Sequence, residues 1–329
     1  MTDTALVVGG TRFIGRHTVE ELATNGYAVT TLTRGTHTDP FADDDRVDHL
    51  TGDRTVDADL TAARDAVDPD VVIDCVAYHP ADVEAATTIF ADVDAYVYVS
   101  SGAAYGAEHV PKREGVTPLE SCTPAQAVDE RDATYGNRKA AGDRAVFAAA
   151  EEGVAATAVR PCIVYGPHDY TERLDYWIDR VLTYDRVVVP GDGQNLWHRA
   201  YVADVASALR IVAERGEPGS AYNVGDQRVL TLAETLETVA AVADTDCTIV
   251  PAGPEALAAG ELTATDFILY RAYPHLLETH ALADLGWEST PVREAMCRTV
   301  ADHRAADRDG HEWDPGRDAE ELVLEAARE

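Results

Sequence analysis

Six short apolar segments alternate with amphipathic ones over the first 161 residues of this 329-residue chain. The apolar segments are TALVVGG, YAVTTLTRG, VDHLTGD, DVVIDCVAY, AYVYVSSGAAYG and AATAVRP. Between them, stretches such as Phe13 to Thr24 and Arg131 to Glu152 carry apolar residues at helical spacing. Strands that alternate with helices form a parallel sheet with helices packed on both faces. The predicted fold class is therefore α/β, a doubly wound parallel sheet.

Glycines close the first predicted strand and open the first predicted helix in the segment GGTRFIG. Gly9 permits a sharp turn, Gly15 permits close helix–strand packing, and the N-terminus of the helix presents N–H groups to an anion. This context favours a loop that binds the pyrophosphate of a dinucleotide; the alternative is a tight turn without a ligand. The predicted cofactor loop comprises Gly9, Thr11, Arg12, Phe13, Ile14 and Gly15.

Two arginines flank the expected position of the adenosine ribose. Arg12 stands where the middle glycine of such a loop belongs, and Arg34 ends the second strand, where NAD-preferring enzymes carry Asp or Glu. A cation at a helix N-terminus is unfavourable unless an anion lies beside it, and arginine binds phosphate through paired hydrogen bonds. We interpret Arg12 and Arg34 as a clamp for the 2′-phosphate of NADP, with NAD as the other candidate cofactor. The alternative is two solvated surface arginines.

The segment TGDR follows the third predicted strand. There Asp53 can accept a hydrogen bond from an adenine amino group, or it can cap the next helix. Asp53 and its neighbour Arg54 are therefore added to the predicted cofactor-binding residues.

A tyrosine and a lysine lie four residues apart in YGNRK, from Tyr135 to Lys139. This spacing places both side chains on one face of the predicted helix. A cation about 4 Å from a phenol, at an effective dielectric near 20, favours the phenolate by roughly 4 kcal/mol, so Tyr135 can act as an acid or base near neutral pH. Ser101 follows the fifth strand at the sheet edge where ligands bind, and can hold a substrate oxygen against Tyr135. The alternatives are a surface Tyr–Lys pair and a turn serine.

Charge and composition restrict the partners. The formal net charge is −32, and Lys112 and Lys139 are the only lysines among 27 basic residues. The acidic residues are spread along the whole chain. An acidic surface with almost no lysine resembles that of proteins from salt-loving archaea, and the alternative is an acidic mesophilic protein. A negative charge of this size repels nucleic acid at ordinary salt concentration, so we do not expect a nucleic-acid partner. Dispersed cysteines indicate reduced thiols and no metal site, and no apolar run reaches 18 residues, so we expect a cytoplasmic protein without a membrane anchor.

The pattern changes after about Pro161, where short strands and loops separate helices such as Val202 to Glu214 and Thr231 to Ala243. We predict a dinucleotide-binding Rossmann domain over 1–165 and a smaller α/β substrate-binding lobe over 166–310, partly interleaved with the first. A charged C-terminal extension over 311–329 ends in DAEELVLEAARE, a helix of marginal stability alone.

The loop, the serine, the Tyr-x-x-x-Lys pair and the order of elements together resemble extended short-chain dehydrogenases/reductases of the NAD-dependent epimerase/dehydratase group. AVRPCIVYGP, PGDGQN, HRAYVADVASAL, YNVGDQ and DLGW extend the resemblance over about residues 4 to 304. It implies that Ser101, Tyr135 and Lys139 are catalytic. It also implies that the nicotinamide is lined by Ala77 and by the segment from Pro161 to Val164. A homodimer through the helix near Pro80 and the helix of Tyr135 is implied as well.

Two departures from that family narrow the chemistry. Gly102 and Ala103 follow Ser101 where dehydratases of the family carry acids, which disfavours 4,6-dehydration. Trp197 stands four residues before Tyr201, where many sugar-nucleotide epimerases carry an arginine for the diphosphate. The segment of Trp197, His198 and Arg199 is either a different substrate surface or a lobe junction.

The predicted function is that of a nicotinamide-dependent epimerase or reductase acting on a small-molecule substrate. That substrate is a sugar, a sugar nucleotide or a related hydroxyl or keto compound. The arginine-containing loop also resembles a branch that includes chloroplast stem-loop RNA-binding proteins. The alternative is therefore a non-catalytic nucleic-acid-binding or scaffold protein that reuses the fold.

Overall fold

A seven-stranded parallel sheet forms the centre of the larger of two compact units in this computed structural model, which describes residues 3–306 and 308–327. Its spatial order is β3–β2–β1–β4–β5–β6–β10. The strands are β1 (Thr4–Val8), β2 (Ala28–Thr33), β3 (Val47–Thr51), β4 (Val71–Asp74), β5 (Ala95–Val99), β6 (Ala156–Pro161) and β10 (Ala221–Val224). The strand order reverses between β1 and β4, and ligands of such sheets bind at the carboxyl ends of the strands beside this point. The predicted doubly wound α/β fold is confirmed.

Helices cover both faces of this sheet. α1 (Phe13–Thr24) packs against α7 (Val202–Arg215), while α3 (Pro80–Ile89) packs against both α2 (Asp57–Val67) and α5 (Tyr135–Glu151). The short helix α4 (Pro124–Ala127) contacts α5, and α10 (His280–Asp284) contacts β10. β1 and β4 consist mainly of apolar residues and are buried from both sides, as central parallel strands require.

The first helix begins and ends where the predicted periodicity did. Its buried side comprises Phe13, Gly15, Thr18, Val19, Leu22 and Ala23, which recur at three- and four-residue spacing. Asn25 caps its C-terminus, and Gly26 takes a φ of 92°, the left-handed backbone that favours glycine.

The larger unit, called unit one here, contains the described residues up to Val164 together with Val202–Gly225 and Leu277–Ser289. Unit two contains Tyr165–Tyr201, Asp226–Leu276 and the described residues from Thr290. The segment SAYNVGDQ supplies β10 to the main sheet, where it pairs with β6.

Unit two combines a two-stranded parallel ribbon with helices. The ribbon consists of β8 (Arg186–Pro190) and β11 (Thr248–Ala252). The other elements are β9 (Arg199–Tyr201), α6 (Arg173–Thr183), α8 (Leu232–Ala243), α9 (Pro254–Ala259), α11 (Val292–Ala306) and α12 (Arg317–Ala326); β7 (Ile163–Tyr165) begins in unit one and ends in unit two. The charged C-terminal helix α12 packs on α9 and β8. Among the helices over 3–306 and 308–327, none is long and apolar enough to cross a bilayer.

Candidate active site

The glycine-rich turn lies tightly between β1 and α1. Gly9 adopts a φ of 86°, and its N–H donates to the Leu32 carbonyl at 2.9 Å. A Cβ added to Gly9 would lie 2.5 Å from a methyl of Val76, and one added to Gly15 would collide with the Gly9 carbonyl. Only glycines therefore fit this turn. Such a close approach of backbone to helix is the geometry that admits a pyrophosphate.

The N-terminus of α1 has no side-chain cap. Arg12 occupies the N-cap position with extended backbone, and the first turn contains no acidic residue. Phe13 begins the helix at a φ of 32°, an uncommon value for a residue with a side chain. The first N–H groups of a helix lack intrahelical acceptors, so this end has the donors and the partial positive charge that suit an anion. The loop therefore fits the phosphates of a dinucleotide.

The two arginines of the predicted clamp are exposed. Arg12 Nη1 lies 3.4 Å from Nε2 of His37, a residue in the segment that follows β2. Hydrogen bonds from Thr55, and more weakly the charge of Arg34, lower the pKa of Asp53. Arg12 thus reaches the loop after β2, and Arg34 lies near Asp53 on the same edge of the sheet.

Asp53 and Arg54 differ in their surroundings. The Asp53 carboxylate accepts hydrogen bonds from the Thr55 N–H at 2.9 Å and hydroxyl at 2.7 Å. It is not the N-cap of α2, a position that Val56 occupies, so the capping alternative is wrong. The Arg54 guanidinium is buried against the carboxylates of Asp74 and Asp82. Its partners are protein groups, and a cofactor contact by Arg54 stays a prediction.

Lys139 joins the carboxyl ends of two neighbouring strands. Its buried ammonium donates to the Ala77 carbonyl at 2.9 Å and to the Val99 carbonyl at 2.8 Å. An ammonium has three N–H donors, so these carbonyls fix its position and take two of them. Burial lowers the pKa of Lys139 to about 8, while the carboxylates of Asp74 and Asp143 oppose the decrease.

Aromatic rings surround this ammonium. The Nζ atom lies 4.8 Å from the ring centre of Tyr98, 5.2 Å from that of Tyr78 and 5.8 Å from that of Tyr135. Tyr135 is therefore near Lys139, as the four-residue spacing indicates. Tyr78 was missed by the sequence analysis; its position directly after Ala77 at the end of a predicted strand was the available signal.

Ser101 lies beside the start of α5. Its hydroxyl accepts from the Ala103 N–H at 3.2 Å and so caps the short 3-10 turn Gly102–Ala104. A side chain on Gly136 would collide with the Ala103 carbonyl, so the first turn of α5 lies directly on this 3-10 turn. The structure thus brings Ser101, Tyr135 and Lys139 to one edge of the sheet.

The other predicted nicotinamide-lining residues lie in unit one, either within a strand or shortly after one. Ala77 is fully buried below Lys139. Pro161 ends β6, where it pairs with Val224, and Val164 is buried in β7. Their contact with a nicotinamide stays a prediction.

His198 and Arg199 make internal contacts in unit two. The Nε2 atom of His198 lies 2.7 Å from the Asp226 carbonyl, and burial lowers the pKa of this histidine. Arg199 donates to the Leu230 carbonyl at 3.1 Å and to the Thr235 hydroxyl. These buried contacts support a structural role for His198 and Arg199.

A glycine-rich loop at the reversal of a parallel sheet, next to an uncapped helix N-terminus, defines a dinucleotide-binding fold of the doubly wound class. The sequence pattern of the NAD dependent epimerase/dehydratase family matches residues 5–225. The chain belongs to this family.

Three comparisons illustrate its range. The chain is 26% identical over 238 residues to the chloroplast stem-loop binding protein of 41 kDa b of Arabidopsis thaliana, covering 69% of this chain and 59% of that protein. It is 30% identical over 151 residues to the low-salt glycan biosynthesis protein Agl12 of Haloferax volcanii, covering 45% and 46%. The chain thus spans about half the length of these curated relatives. A crystal structure of dTDP-glucose 4,6-dehydratase from Bacillus anthracis in complex with NAD superimposes with a TM-score of 0.73 at 19% identity, covering 95% and 98% of the two chains.

Proposed function

We propose that this protein is a nicotinamide-dependent epimerase or oxidoreductase. Its substrate would be a sugar, a sugar nucleotide or a related hydroxyl or keto compound. The observation that carries the proposal is the Lys139 ammonium, which two backbone carbonyls hold at the ends of β4 and β5 beside the ring of Tyr135. The alternative of a solvent-exposed Tyr–Lys pair does not fit, because the Lys139 side chain is only 2% exposed and burial of a charge is costly unless that charge is paired or hydrogen-bonded.

Each side chain has a role in this proposal. When bound, the cofactor supplies the hydride acceptor and donor. The phenol oxygen of Tyr135 takes the proton from a substrate hydroxyl, or returns it to a carbonyl oxygen. The Lys139 ammonium stabilises the phenolate, and its third N–H is available for a ribose hydroxyl. The Ser101 hydroxyl orients the substrate oxygen.

NADP is the cofactor that we propose, with NAD as the alternative. Support comes from the exposed Arg12 and Arg34 and from β2, which ends at Thr33 without a carboxylate. The Bacillus anthracis neighbour carries NAD, so the preference of this chain requires its own measurement.

Within the family, we propose epimerisation or reduction in preference to dehydration. The residues after Ser101 form a 3-10 turn of Gly102, Ala103 and Ala104, none of which has an ionisable side chain. Expulsion of water from a sugar needs a proton donor at the departing hydroxyl, and this turn supplies none.

The test compares the wild type with Tyr135→Phe at molar salt. Both proteins are incubated with NADP or NAD and a panel of sugars, sugar nucleotides and small ketones. Net oxidoreduction is followed at the absorbance of reduced nicotinamide, and epimerisation by chromatography. We expect Tyr135→Phe to lose turnover by roughly 10²- to 10⁴-fold, because only the proton-transferring oxygen is removed, with cofactor affinity unchanged.

Tyr27→Phe is the matched control. Tyr27 directly precedes the amino end of β2, away from the carboxyl edge, and its hydroxyl lies 3.4 Å from Glu214. It should retain full turnover. Full turnover by Tyr135→Phe would show that the site assignment is wrong.

A second candidate function follows from the similarity to the chloroplast stem-loop binding protein. A non-catalytic protein of that kind would bind stem-loop RNA and turn over nothing in the panel. The net charge of −32 opposes such binding at low salt, where electrostatic attraction to RNA is normally strongest. Saturable RNA binding at low salt, together with no turnover, would favour this candidate.

A further inference from the structure

A buried ion pair lies one helical turn beyond Lys139. Asp143 follows Lys139 by four residues on α5, and its Oδ2 atom accepts from Nε of Arg160 at 2.8 Å. The Asp143 and Arg160 side chains are 0% and 2% exposed. A pair so completely removed from water costs desolvation energy, so simple surface stabilisation does not explain it.

Arg160 is fixed on its far side by a chain of hydrogen bonds. Its Nη1 donates to the Tyr105 hydroxyl at 2.9 Å, and that hydroxyl donates to Asn223 Oδ1 at 2.8 Å. The Asn223 N–H in turn donates to the carboxylate of Glu114 at 2.7 Å. Asp143 is therefore anchored through β6 to β10, across the edge of the sheet.

The other carboxylate oxygen of Asp143 faces the end of β5. Within residues 3–306 and 308–327, the buried Oδ1 atom of Asp143 and the buried hydroxyl of Ser100 make no hydrogen bond of standard geometry, although Ser100 lies close enough to lower the pKa of Asp143. Burial raises the pKa of Asp143, while Arg160, Ser100 and Lys139 oppose the increase. Consecutive side chains of extended backbone point in opposite directions, so Ser100 turns towards Asp143 while Ser101 turns towards the site.

The charge of Asp143 acts on Lys139. A fully buried ammonium needs compensating negative charge, because burial favours its neutral form. Titratable groups face Lys139 from β4 and the segment after it, from α3, from β5 and from α5 itself. They are Asp74, Cys75, Tyr78, Asp82, Tyr98, Tyr135 and Asp143. Of the three carboxylates in this set, Asp143 is the one on the same helix as Lys139, so its distance to the ammonium depends little on other elements.

We propose that Asp143 is a positioning residue for the proposed proton transfer. Fixed by Arg160, it keeps the Lys139 ammonium charged and holds the start of α5 against the strand end that carries Ser100 and Ser101. The inference rests on the proposed function, because it assigns Lys139 a reason to remain charged.

The chain offers a direct measurement, since it contains only two lysines. The full chain labelled with carbon-13 lysine gives two side-chain signals, and loss of one signal in Lys139→Arg assigns it. We expect Asp143→Asn to move the Lys139 titration midpoint about one pH unit lower, as removal of a nearby opposite charge does. The Lys112 signal should not change.

Asp175→Asn is the matched control. Asp175 is also buried, and its Oδ1 lies 2.8 Å from His303 Nδ1 and 2.9 Å from Arg308 Nε in unit two. This substitution should lower the unfolding temperature without moving the Lys139 midpoint. An unchanged midpoint in folded Asp143→Asn overturns the proposal.

Asp143→Ser covers the case in which the asparagine amide, placed against Arg160, prevents folding. It removes the charge with a smaller side chain, and the same lower midpoint is expected. If neither variant folds while Asp175→Asn does, Asp143 is purely structural and the proposal fails. The titration needs no substrate or cofactor, so its failure leaves the proposed function standing, and loss of the proposed function leaves the titration result valid.

Discussion

Gly9→Ala tests the glycine-rich turn. The substitution destabilises the fold in two ways, by backbone strain and by steric overlap. A φ of 86° strains any residue with a Cβ, by about 1–2 kcal/mol. The new methyl would also lie 2.5 and 2.9 Å from the two Val76 methyls, and such overpacking costs about 1–3 kcal/mol.

Together these costs amount to about 2–5 kcal/mol of unfolding free energy, measured by chemical denaturation. Either the glycine-rich turn or the segment after β4 must move, so the turn loses its shape. A loss of about 1–3 kcal/mol from binding corresponds to a 5- to 150-fold weaker dissociation constant for the cofactor, measured by NADPH fluorescence.

Two control variants separate the backbone strain from the steric overlap. Gly26 has a φ of 92° with no atom within 4 Å of an added Cβ, so Gly26→Ala should show the backbone cost alone and normal cofactor affinity. Val76→Ala combined with Gly9→Ala removes the steric overlap and should restore part of the affinity. If Gly9→Ala binds NADPH within about twofold of wild type, the turn does not shape the cofactor site and the reasoning fails.

Two further predictions concern the cofactor and the assembly. Arg34→Ala should weaken NADPH binding roughly tenfold and leave NADH binding unchanged, because only the 2′-phosphate loses a charge-assisted partner. The control is Arg46→Ala, since Arg46 is exposed and pairs with Asp44. An unchanged NADPH affinity in Arg34→Ala would show that Arg34 does not bind the 2′-phosphate. The homodimer implied by the family resemblance should become a monomer in Ala145→Arg, as measured by light scattering, because Ala141, Ala145 and Ala148 form a small-residue face on α5. Ala301→Arg, on α11, should leave the dimer intact. A monomeric wild type at working salt would contradict the dimer.

Local patterns predicted the elements of the larger unit well. The helix Phe13–Thr24 and the start of α7 at Val202 coincide with the predicted bounds, because apolar spacing and glycine stops are local signals. The position of β10 was not predictable in the same way. It pairs with β6, with Ala221 opposite Ala158, more than sixty residues earlier in the chain. The local spacing of apolar residues does not indicate which strand a distant segment will pair with.

The candidate site shows the same division. The four-residue spacing of Tyr135 and Lys139 is a property of one helix, and the structure places them together as expected. Arg54 was predicted with the cofactor because it neighbours Asp53, yet its guanidinium turns inward to Asp74 and Asp82. An arginine side chain is long enough to reach hydrogen-bond partners on several elements, so its position in the sequence does not determine which of them it contacts.

The burial of both lysines gives the molecule an unusual chemical surface. Lys112 is 1% exposed and Lys139 is 2% exposed, so neither lysine ammonium is available at the surface of the folded chain. Reagents that acylate primary amines would find the lysine side chains shielded in the native state. Acylation of Lys139 would consequently record the opening of the space between Ala77 and Val99, which makes this residue an intrinsic reporter of exposure at the ends of β4 and β5.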